Sequence, residues 1–350
     1  GMPGPYDLTS DELAGILDGE PAYRVRQIWD GLHRRALRAA EMSELPRALR
    51  ARLGQEPALA PALRETARSV ADRGQTLKWR WALEDGAAVE TVLMHYRDRT
   101  TVCVSTQAGC AMACGFCATG QAGFTRHLSP GEIVEQVIAA IRQARPTRLS
   151  NVVFMGMGEP LANYDRVWAA VTRLHDDVGI SARHLTLSTV GLVPGIRRLA
   201  TEALPVNLAV SLHAANDALR DALVPINRRW PLTTLQEACQ DYVATTGRRL
   251  SLEWALIDSV NDRPRDTREL AAFALPLRAH VNLIPLNPTP GFATSGTSPE
   301  GVRAFRDGLR RLGVNATVRH NRGADVDAAC GQLAAAGSPR GADSAILVSD

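Results

Sequence analysis

The sequence is poor in cysteine and lacks long apolar runs, and each shortage excludes a class of protein. Six cysteines among 350 residues are too few for the disulfide framework of a small secreted domain. No apolar run reaches the roughly 18 residues that a membrane-spanning helix needs. The first residues also lack the basic and apolar regions of a signal peptide. We therefore expect a cytoplasmic protein without a membrane partner. Its mild formal charge of +3 indicates no particular partner by itself.

The N-terminal part of the sequence predicts a small helical module. Thr9 and Glu12 have the spacing of a capping box, and apolar residues recur at helical spacing in residues 25–32. Residues 21–52 carry eight arginines against three acidic residues. Such an excess is typical of a solvated helical face, but also of a surface that contacts RNA phosphates. Both interpretations stay open at the level of the sequence.

After residue 76 the apolar pattern changes from a helical period to a strand period. Residues 77–83 and 89–95 predict two strands joined by an Asp-Gly turn. Short β-branched segments then alternate with helical patterns, as buried parallel strands do; they are residues 101–106, 151–155, 184–188, 206–211, 249–256 and 280–286. Ser129 opens the clearest helix with a capping box. Six βα units predict an α/β fold, a partial and open (β/α)6 barrel of the TIM type, with ligands at the carboxyl ends of its strands.

Three of the six cysteines, Cys110, Cys114 and Cys117, lie within eight residues on the loop after the first predicted barrel strand. Three thiolates can hold three irons of a 4Fe–4S cluster. The fourth iron then stays open to the amino and carboxylate groups of S-adenosylmethionine (SAM). A zinc site is the alternative, but structural zinc normally has four protein ligands, and no second cysteine pair exists in the sequence. The spacing therefore predicts an iron–sulfur cluster that binds SAM.

The Cys-x-x-x-Cys-x-x-Cys loop is the signature of radical SAM enzymes, and its flanks make the resemblance more specific. Residues 107–110 and 120–124 are similar to those of the rRNA adenine methyltransferases of the RlmN/Cfr class. The similarity runs from about residue 23 to residue 333. It implies a radical SAM barrel, one 4Fe–4S cluster held by the three cysteines, and two molecules of SAM for each turnover.

With this resemblance, the chain divides into four predicted segments. Residues 1–75 are expected to form a helical N-terminal accessory domain that docks RNA, and residues 76–95 a β-hairpin connector. Residues 96–320 are expected to form the radical SAM core. Residues 321–350 are expected to form a C-terminal segment that contains the methyl-carrying cysteine.

The resemblance also implies where SAM binds, at the ends of four predicted strands. The implied contacts are Gly158, Glu159, Ser188, Ser211, Leu212, His213 and Asn287. Glycine lets the backbone approach a ligand, and a carboxylate can receive the SAM ammonium group. Taken singly, each residue is also explained by a structural hydrogen bond, and the histidine by a place in the core. We interpret His184 and His320 as structural or surface residues, and Cys239, in a helical stretch, as structural.

Two further cysteines and one glutamate match residues that carry the chemistry of the RlmN/Cfr class. By resemblance, Cys330 takes a methyl group from SAM. A radical derived from a second SAM removes a hydrogen atom from this methyl group, and the carbon adds to the adenine ring. Glu90 then accepts the ring proton, and Cys103 attacks the sulfur of Cys330, which leaves a disulfide that external thiols reduce. Without the resemblance, the cysteines are interpreted as small buried hydrophobes and the glutamate as a surface residue.

The resemblance implies a folded RNA substrate and leaves several alternatives open. Carbon 2 of an adenine in 23S rRNA is the expected target, and transfer RNA is a second substrate for some members of the class. Alternatives are methylation at carbon 8, which is the antibiotic-resistance reaction, and a paralogue with another substrate. A different radical SAM enzyme would need neither Cys103 nor Cys330, and a non-catalytic RNA-binding iron–sulfur or zinc protein would not cleave SAM. We further expect a monomer that receives electrons from a reductase or a flavodoxin-type donor.

Overall fold

One continuous sheet organises the molecule in the computed structural model, which describes residues 4–286, 295–320 and 323. The strands are β1 (Arg64–Ala71), β2 (Thr76–Ala82), β3 (Ala88–His95), β4 (Thr100–Cys103), β5 (Gln107–Gly109), β6 (Phe124–His127), β7 (Asn151–Phe154), β8 (Leu185–Thr189), β9 (Asn207–Ser211), β10 (Leu250–Leu256), β11 (His280–Pro285) and β12 (Asn315–Val318). Strands β5 and β6 pair with each other outside this sheet. In the described residues the other ten strands lie side by side in the order in which the chain visits them.

The helices of the described ranges fall into an N-terminal group and a group that follows the sheet strands. The α-helices are α1 (Ser10–Ile16), α2 (Tyr23–His33), α3 (Arg47–Gly54), α4 (Ala118–Ala122), α5 (Pro130–Ala144), α6 (Tyr164–Arg173), α7 (Val193–Leu199), α8 (Asp217–Leu223), α9 (Leu232–Thr246), α10 (Pro264–Ala274) and α11 (Pro299–Arg311). None of these helices combines the length and the apolarity that a lipid bilayer crossing requires.

The sheet has an antiparallel part and a parallel part. Strands β1 to β4 pair antiparallel, whereas β4 pairs parallel with β7, and all further neighbours up to β12 are parallel. At least one α-helix separates each parallel strand from the next, which makes six βα units. Strands β1 and β12 lie at opposite ends of the described sheet order, so this sheet is open. The predicted partial α/β barrel is confirmed, and the carboxyl ends of its parallel strands meet at one edge.

Two edge strands depart from the sequence-based prediction. Residues 64–71 lie in the segment predicted to be helical, yet they form β1 and pair with β2. Only Ala71, the last of the eight residues of β1, is buried, so no alternation of buried and exposed positions marks this strand. The four residues of β12 add a seventh parallel strand after the sixth βα unit. Both strands lie at the ends of the sheet, where packing constrains the sequence least.

The helix α5 shows how the local sequence connects the N-terminal part to the core. Its predicted capping box is present: the Glu132 amide donates to Ser129 Oγ at 3.1 Å, and the Ser129 amide donates to the Glu132 carboxylate at 2.8 Å. Asp7 accepts two further bonds at this helix end, from Ser129 Oγ at 2.6 Å and from the Gly131 amide at 2.7 Å. Asp7 therefore fixes the N-terminal segment to the helix that follows the cysteine loop.

Polar contacts also hold the N-terminal helices against the outer helices of the core. Trp29 Nε1 donates to Asp177 at 2.9 Å, and Arg142 forms two bonds of 2.7 Å with the Glu41 carboxylate. Several of the eight arginines in residues 21–52 are neutralised within the module, by the ion pairs Arg26–Asp30, Arg35–Glu44 and Arg52–Glu20. Part of the basic character of this segment is therefore balanced locally.

Glu135 on α5 makes the stability of this junction depend on pH. Its carboxylate accepts bonds from the amides of Ala62 at 3.0 Å and Leu63 at 2.6 Å. Burial nevertheless raises the pKa of Glu135 from 4.5 to about 7. Between these two values the folded state binds more protons at this site than the unfolded state does, so its contribution to the free energy of unfolding falls as the pH rises.

We expect Glu135→Gln to remove this dependence, because the amide does not titrate. Urea unfolding at pH 5 and pH 7.5 checks it: the free energy of unfolding of the wild type minus that of the variant should be smaller at the higher pH. A difference that is equal at the two pH values contradicts the assignment.

Candidate active site

A cavity of about 360 Å³ opens at the carboxyl ends of the parallel strands, and this volume is in the range of small-molecule sites. Most of the residues predicted to carry function line this cavity: Cys103, Cys110, Cys114, Cys117, Gly158, Glu159, Ser188, Ser211 and His213. They come from the cysteine loop and from the ends of β4, β7, β8 and β9. Residues separated by more than 100 positions in the sequence are thus brought together at one edge of the sheet.

Four predicted site residues remain, of which two, Leu212 and Glu90, are described and do not line the cavity. Asn287 and Cys330 lie outside the described residues. Leu212 is fully buried in the main apolar core, and its amide donates to the Glu253 carbonyl oxygen at 2.9 Å. Glu90 is buried with 3% exposure and lies next to the cavity-lining residues on β3.

The cysteine loop is closed at its base by the two-stranded sheet of β5 and β6. The Cys110 amide donates to the Gly123 carbonyl oxygen at 2.9 Å. Gly109 has a φ of +79°, and a side chain there would collide with the Gly123 carbonyl group. Inside the loop, Gln121 Nε2 donates to the Gly115 carbonyl oxygen at 2.6 Å. Bonds to backbone carbonyl groups therefore hold the loop together.

The cysteines lie in a largely apolar environment. Cys114 belongs to a second apolar cluster with Phe116 and Ala255, and Cys117 packs against it. Burial raises the pKa of the Cys110 thiol to about 12 and raises that of Cys114 further. Metal ligation requires thiolates, so the binding of iron must displace these protons and couples cluster assembly to proton release.

The donor set and its surroundings fit a 4Fe–4S cluster. No three His, Cys, Asp or Glu side chains in residues 4–286 and 295–320 converge as the ligands of one metal ion would. A cubane makes no such demand, because each of its three protein thiolates binds a different iron atom. Cys110, Cys114 and Cys117 would hold the cluster, and the adjoining cavity has room for a small ligand.

Glu159 connects the end of β7 to the loop after β8. Its Oε1 accepts bonds from Thr189 Oγ1 at 2.9 Å and from the Val190 amide at 2.7 Å, and its Oε2 accepts one from the Leu161 amide at 2.8 Å. Burial raises the pKa of Glu159 to about 7 in spite of these three bonds. A carboxylate offers about four acceptor positions. Glu159 can therefore keep its structural bonds and still accept one more from a ligand at the cavity wall.

Gly158 is required by the close packing of this segment. Its φ is +104°, and a Cβ atom would lie 2.6 Å from Gln107 Cβ and 2.7 Å from Gln107 N. Any side chain would push the end of β7 away from the residue that leads into the cysteine loop. The glycine thus sets the distance between a wall of the cavity and strand β5.

The ends of β8 and β9 contribute two hydroxyl groups and one imidazole. Ser188 Oγ and Ser211 Oγ lie 3.5 Å apart. His213 has a φ of +63°, which is uncommon for a residue other than glycine. Its Nδ1 accepts a bond from the Ala255 amide at 2.9 Å, and burial lowers the pKa of the ring to about 3. The imidazole is therefore neutral, and its hydrogen is on Nε2, where it can donate to a ligand.

Arg220 is a buried residue of this site that carries no motif in the sequence. Its side chain has no solvent exposure. It donates to the carbonyl oxygens of Val190 (2.5 Å), Ser211 (3.2 Å) and Leu212 (3.0 Å) and to Asn227 Oδ1 (2.9 Å). The guanidinium is also close enough to Cys114 to oppose, in part, the effect of burial on the pKa of that thiol. Arg220 thus holds the loops after β8 and β9 beside the cysteine loop.

Three further residues that sequence reasoning missed line the cavity: Glu253, Arg319 and His320. Glu253 is the one charged residue of β10, and this charge in a buried strand was a usable signal. Arg319 and His320 directly follow β12, the strand that was not predicted. The interpretation of His320 as a structural or surface residue is therefore incomplete, because it is exposed but lies at the wall of the cavity. By contrast, Cys239 is fully buried on α9, as predicted.

Cys103 and Glu90 lie on one face of the sheet. Cys103 on β4 pairs with Val92 on β3, and alternate residues of a strand share a face, so Glu90 is on the face of Val92 and Met94, which line the cavity. Lys78, opposite Val92 on β2, shares that face, and its Nζ lies 3.4 Å from Glu90 Oε1. A buried carboxylate and a cavity-lining thiol are thus two register positions apart.

Comparison with known proteins identifies the family to which the chain belongs. Residues 104–271 match the model of the radical SAM superfamily. The chain is 48% identical to a protein of Roseiflexus sp. (strain RS-1), over 96% of this chain and 97% of that protein. It is 53% identical to a protein of Parafrankia sp. (strain EAN1pec), over 94% of this chain and 91% of that protein. Both relatives carry the name "Probable dual-specificity RNA methyltransferase RlmN".

A solved structure agrees with these sequence relatives. The crystal structure of a radical SAM methyltransferase from Sphaerobacter thermophilus superimposes with a TM-score of 0.90 at 49% sequence identity. The match covers 95% of this chain and 99% of that one. With relatives near 50% identity over nearly the full length, the chain belongs to the RlmN family of radical SAM RNA methyltransferases.

Proposed function

We propose that this enzyme methylates carbon 2 of a specific adenine in 23S rRNA, with transfer RNA as a second substrate, through a methylated Cys330. The observation that carries the proposal is Cys103, whose thiol lines the same cavity as Cys110, Cys114 and Cys117. A radical SAM enzyme with simpler chemistry needs no thiol on the β4 wall. The names of the relatives, which describe dual-specificity RNA methyltransferases, support an RNA substrate.

Radical SAM enzymes use a 4Fe–4S cluster and SAM, which together supply a 5′-deoxyadenosyl radical when an electron donor reduces them. The residues of the chain would carry the methyl group, bind SAM and exclude water. Cys330, outside the described residues, would accept the methyl group as a thiolate. Around SAM, Glu159 would receive the ammonium group, and Ser188, Ser211 and His213 would orient the remainder. The apolar surroundings of the cysteine loop would exclude water from the reactive carbon.

Product release would depend on the face that Cys103 shares with Glu90. Glu90 would accept the proton from carbon 2, and Lys78, at 3.4 Å, would hold its carboxylate in place. The Cys103 thiolate would attack the Cys330 sulfur and form a disulfide. These steps require a closed-shell thioether, so the ring radical would first return one electron to the cluster that supplied it. The bond from the Cys330 sulfur to the methylene carbon would then break, its electron pair would stay on carbon, and protonation would complete the methyl group. External thiols would then reduce the disulfide by exchange.

Mass spectrometry of rRNA digests tests the regiochemistry directly. Unmethylated 23S rRNA, treated with the reconstituted enzyme, SAM and a reductant, should yield 2-methyladenosine. The appearance of 8-methyladenosine instead would establish the carbon 8 reaction. Methylation of transfer RNA in a parallel reaction tests the second substrate, and the absence of methylated adenosine from both RNAs would contradict the proposed function.

Substitution of Cys330 and substitution of Cys103 should produce different defects in the reaction. Cys330→Ala removes the methyl carrier, so we expect no methylated RNA and no covalent adduct. Cys103→Ala leaves methyl transfer to the ring intact but removes the thiol that breaks the thioether, so an enzyme–RNA adduct should accumulate. Denaturing gel electrophoresis with labelled RNA detects it. Cys239→Ala, in the buried helix α9, is the matched control and should turn over normally.

A basic hollow at the other end of the core offers a surface for the RNA backbone. This hollow, of about 660 Å³, is lined by the cationic or basic side chains Arg34, Arg145, Arg148, His175 and His184 and, among the described residues, by no carboxylate. It lies beside the residues that precede β7 and β8 and joins α2 of the N-terminal module to the core. The strands between hollow and cavity span roughly 15 Å, which a folded RNA can bridge.

We expect Arg148→Gln to weaken RNA binding and to lower the slope of log K against log salt by about one, because one phosphate contact is lost. Filter binding over a range of salt concentrations measures both quantities. Arg303→Gln on α11, which removes an exposed arginine outside the hollow, is the control. Equal slopes for both variants would contradict a role of the hollow in RNA docking.

A further inference from the structure

Glu253 is a buried carboxylate in the wall of the cavity that the proposed mechanism does not use. It lies on β10, with 4% exposure. Its Oε1 accepts bonds from Asn282 Nδ2 at 3.1 Å and from Arg319 Nη2 at 3.3 Å. Its Oε2 is also buried, and no hydrogen-bond donor of the described residues reaches it. One half of the carboxylate is thus anchored and the other half is unsatisfied.

The anchoring is built into the register of the sheet. Glu253 pairs with Asn282 on β11, and Asn282 pairs with Thr317 on β12. Thr317 Oγ1 donates to Asn282 Oδ1 at 3.1 Å, so the Asn282 amide is oriented with its NH2 group toward the carboxylate. A row of side chains across three parallel strands thereby fixes which oxygen of Glu253 is bonded.

The other side of Glu253 faces the site where the ligand is expected. On β9 its register partner is Ser211, which lines the cavity together with Glu253. An unsatisfied buried acceptor is costly, and buried polar groups without a protein partner commonly bind a ligand or water. Arg319 already balances the carboxylate charge at 3.3 Å. The missing partner is therefore a neutral donor rather than a second cation.

We propose that Glu253 binds a hydrogen-bond donor of a nucleoside, a ribose hydroxyl or an exocyclic amine, inside this cavity. Asn282 and Arg319 are positioning residues that hold the carboxylate for it. The inference rests on the proposed function, because that function brings two nucleosides to the cavity: the adenosine of SAM and the target adenosine of the RNA. Both carry the same kind of donor, and the experiment distinguishes them.

The substitution Glu253→Gln makes the test specific. Asn282 and Arg319 both donate hydrogen bonds to Glu253 Oε1. In the Glu253→Gln variant they therefore require the amide oxygen at that position, and the amide NH2 takes the position of Oε2. Glu253→Ala removes the acceptor and should weaken binding for either donor. Glu253→Gln should weaken it equally if the ligand group is an exocyclic amine, which only donates, and much less if it is a ribose hydroxyl, which can accept from the amide NH2. The loss of such a bond costs about tenfold or more in affinity.

The measurements use the full chain with its reconstituted cluster. Calorimetry gives the dissociation constant of S-adenosylhomocysteine, and steady-state assays give KM for the RNA. An increase of about tenfold in the former assigns the donor to SAM, and an increase in the latter assigns it to the target adenosine. Iron content and the absorbance of the cluster verify that each variant is assembled. Glu135→Gln, another buried glutamate but outside the cavity, should leave both constants unchanged.

Normal values of both constants for an assembled Glu253→Ala would overturn the inference. Binding of S-adenosylhomocysteine needs no RNA, so this part of the test is independent of the proposed function. If the wild type bound S-adenosylhomocysteine but methylated no RNA, the proposed function would fail. The calorimetric comparison alone would then decide whether Glu253 binds a nucleoside, and an unchanged dissociation constant would count against it.

Discussion

The architecture of the cavity depends on one buried guanidinium. Burial of a charge costs several kcal/mol unless it is compensated, and Arg220 is compensated by carbonyl oxygens of the loops after β8 and β9. Each of these carbonyl groups receives a charge-assisted bond from the guanidinium, so the arginine and the loops stabilise each other. The same guanidinium lies near Cys114, so the folding of the loops after β8 and β9 and the electrostatics of the cysteine loop are linked through one side chain.

The parallel and the antiparallel parts of the sheet contribute different residues to this region. The parallel strands bring Ser188, Ser211 and Glu253 to one edge, where a ligand can be surrounded. The antiparallel strands β3 and β2 continue the sheet beyond β4, and they carry Glu90 and Lys78. A barrel of βα units alone would have no residue in this position. The hairpin therefore adds a buried carboxylate and its ammonium partner beside the parallel strands of the core.

Features that depend on neighbouring residues could be predicted from the sequence. Features that depend on contacts between residues far apart in the sequence could not. The capping boxes at Thr9 and Ser129 are formed as predicted, because they involve residues only three positions apart. The three clustered cysteines were equally recognisable. In contrast, β1 has no buried alternation. Arg220 carries no motif, because its role arises from loops that are distant in sequence. The face of Glu90 follows from strand pairing, which no local pattern specifies.

The two-stranded sheet of β5 and β6 has a consequence for the life cycle of the protein. It closes the base of the cysteine loop through backbone bonds, among them the one from the Cys110 amide to Gly123. The entropic cost of closing this loop therefore arises when the chain folds and not when the metal binds. A molecule stripped of its iron by oxygen would keep the loop as a template for repair, and a damaged cluster could be rebuilt in place without refolding of the chain.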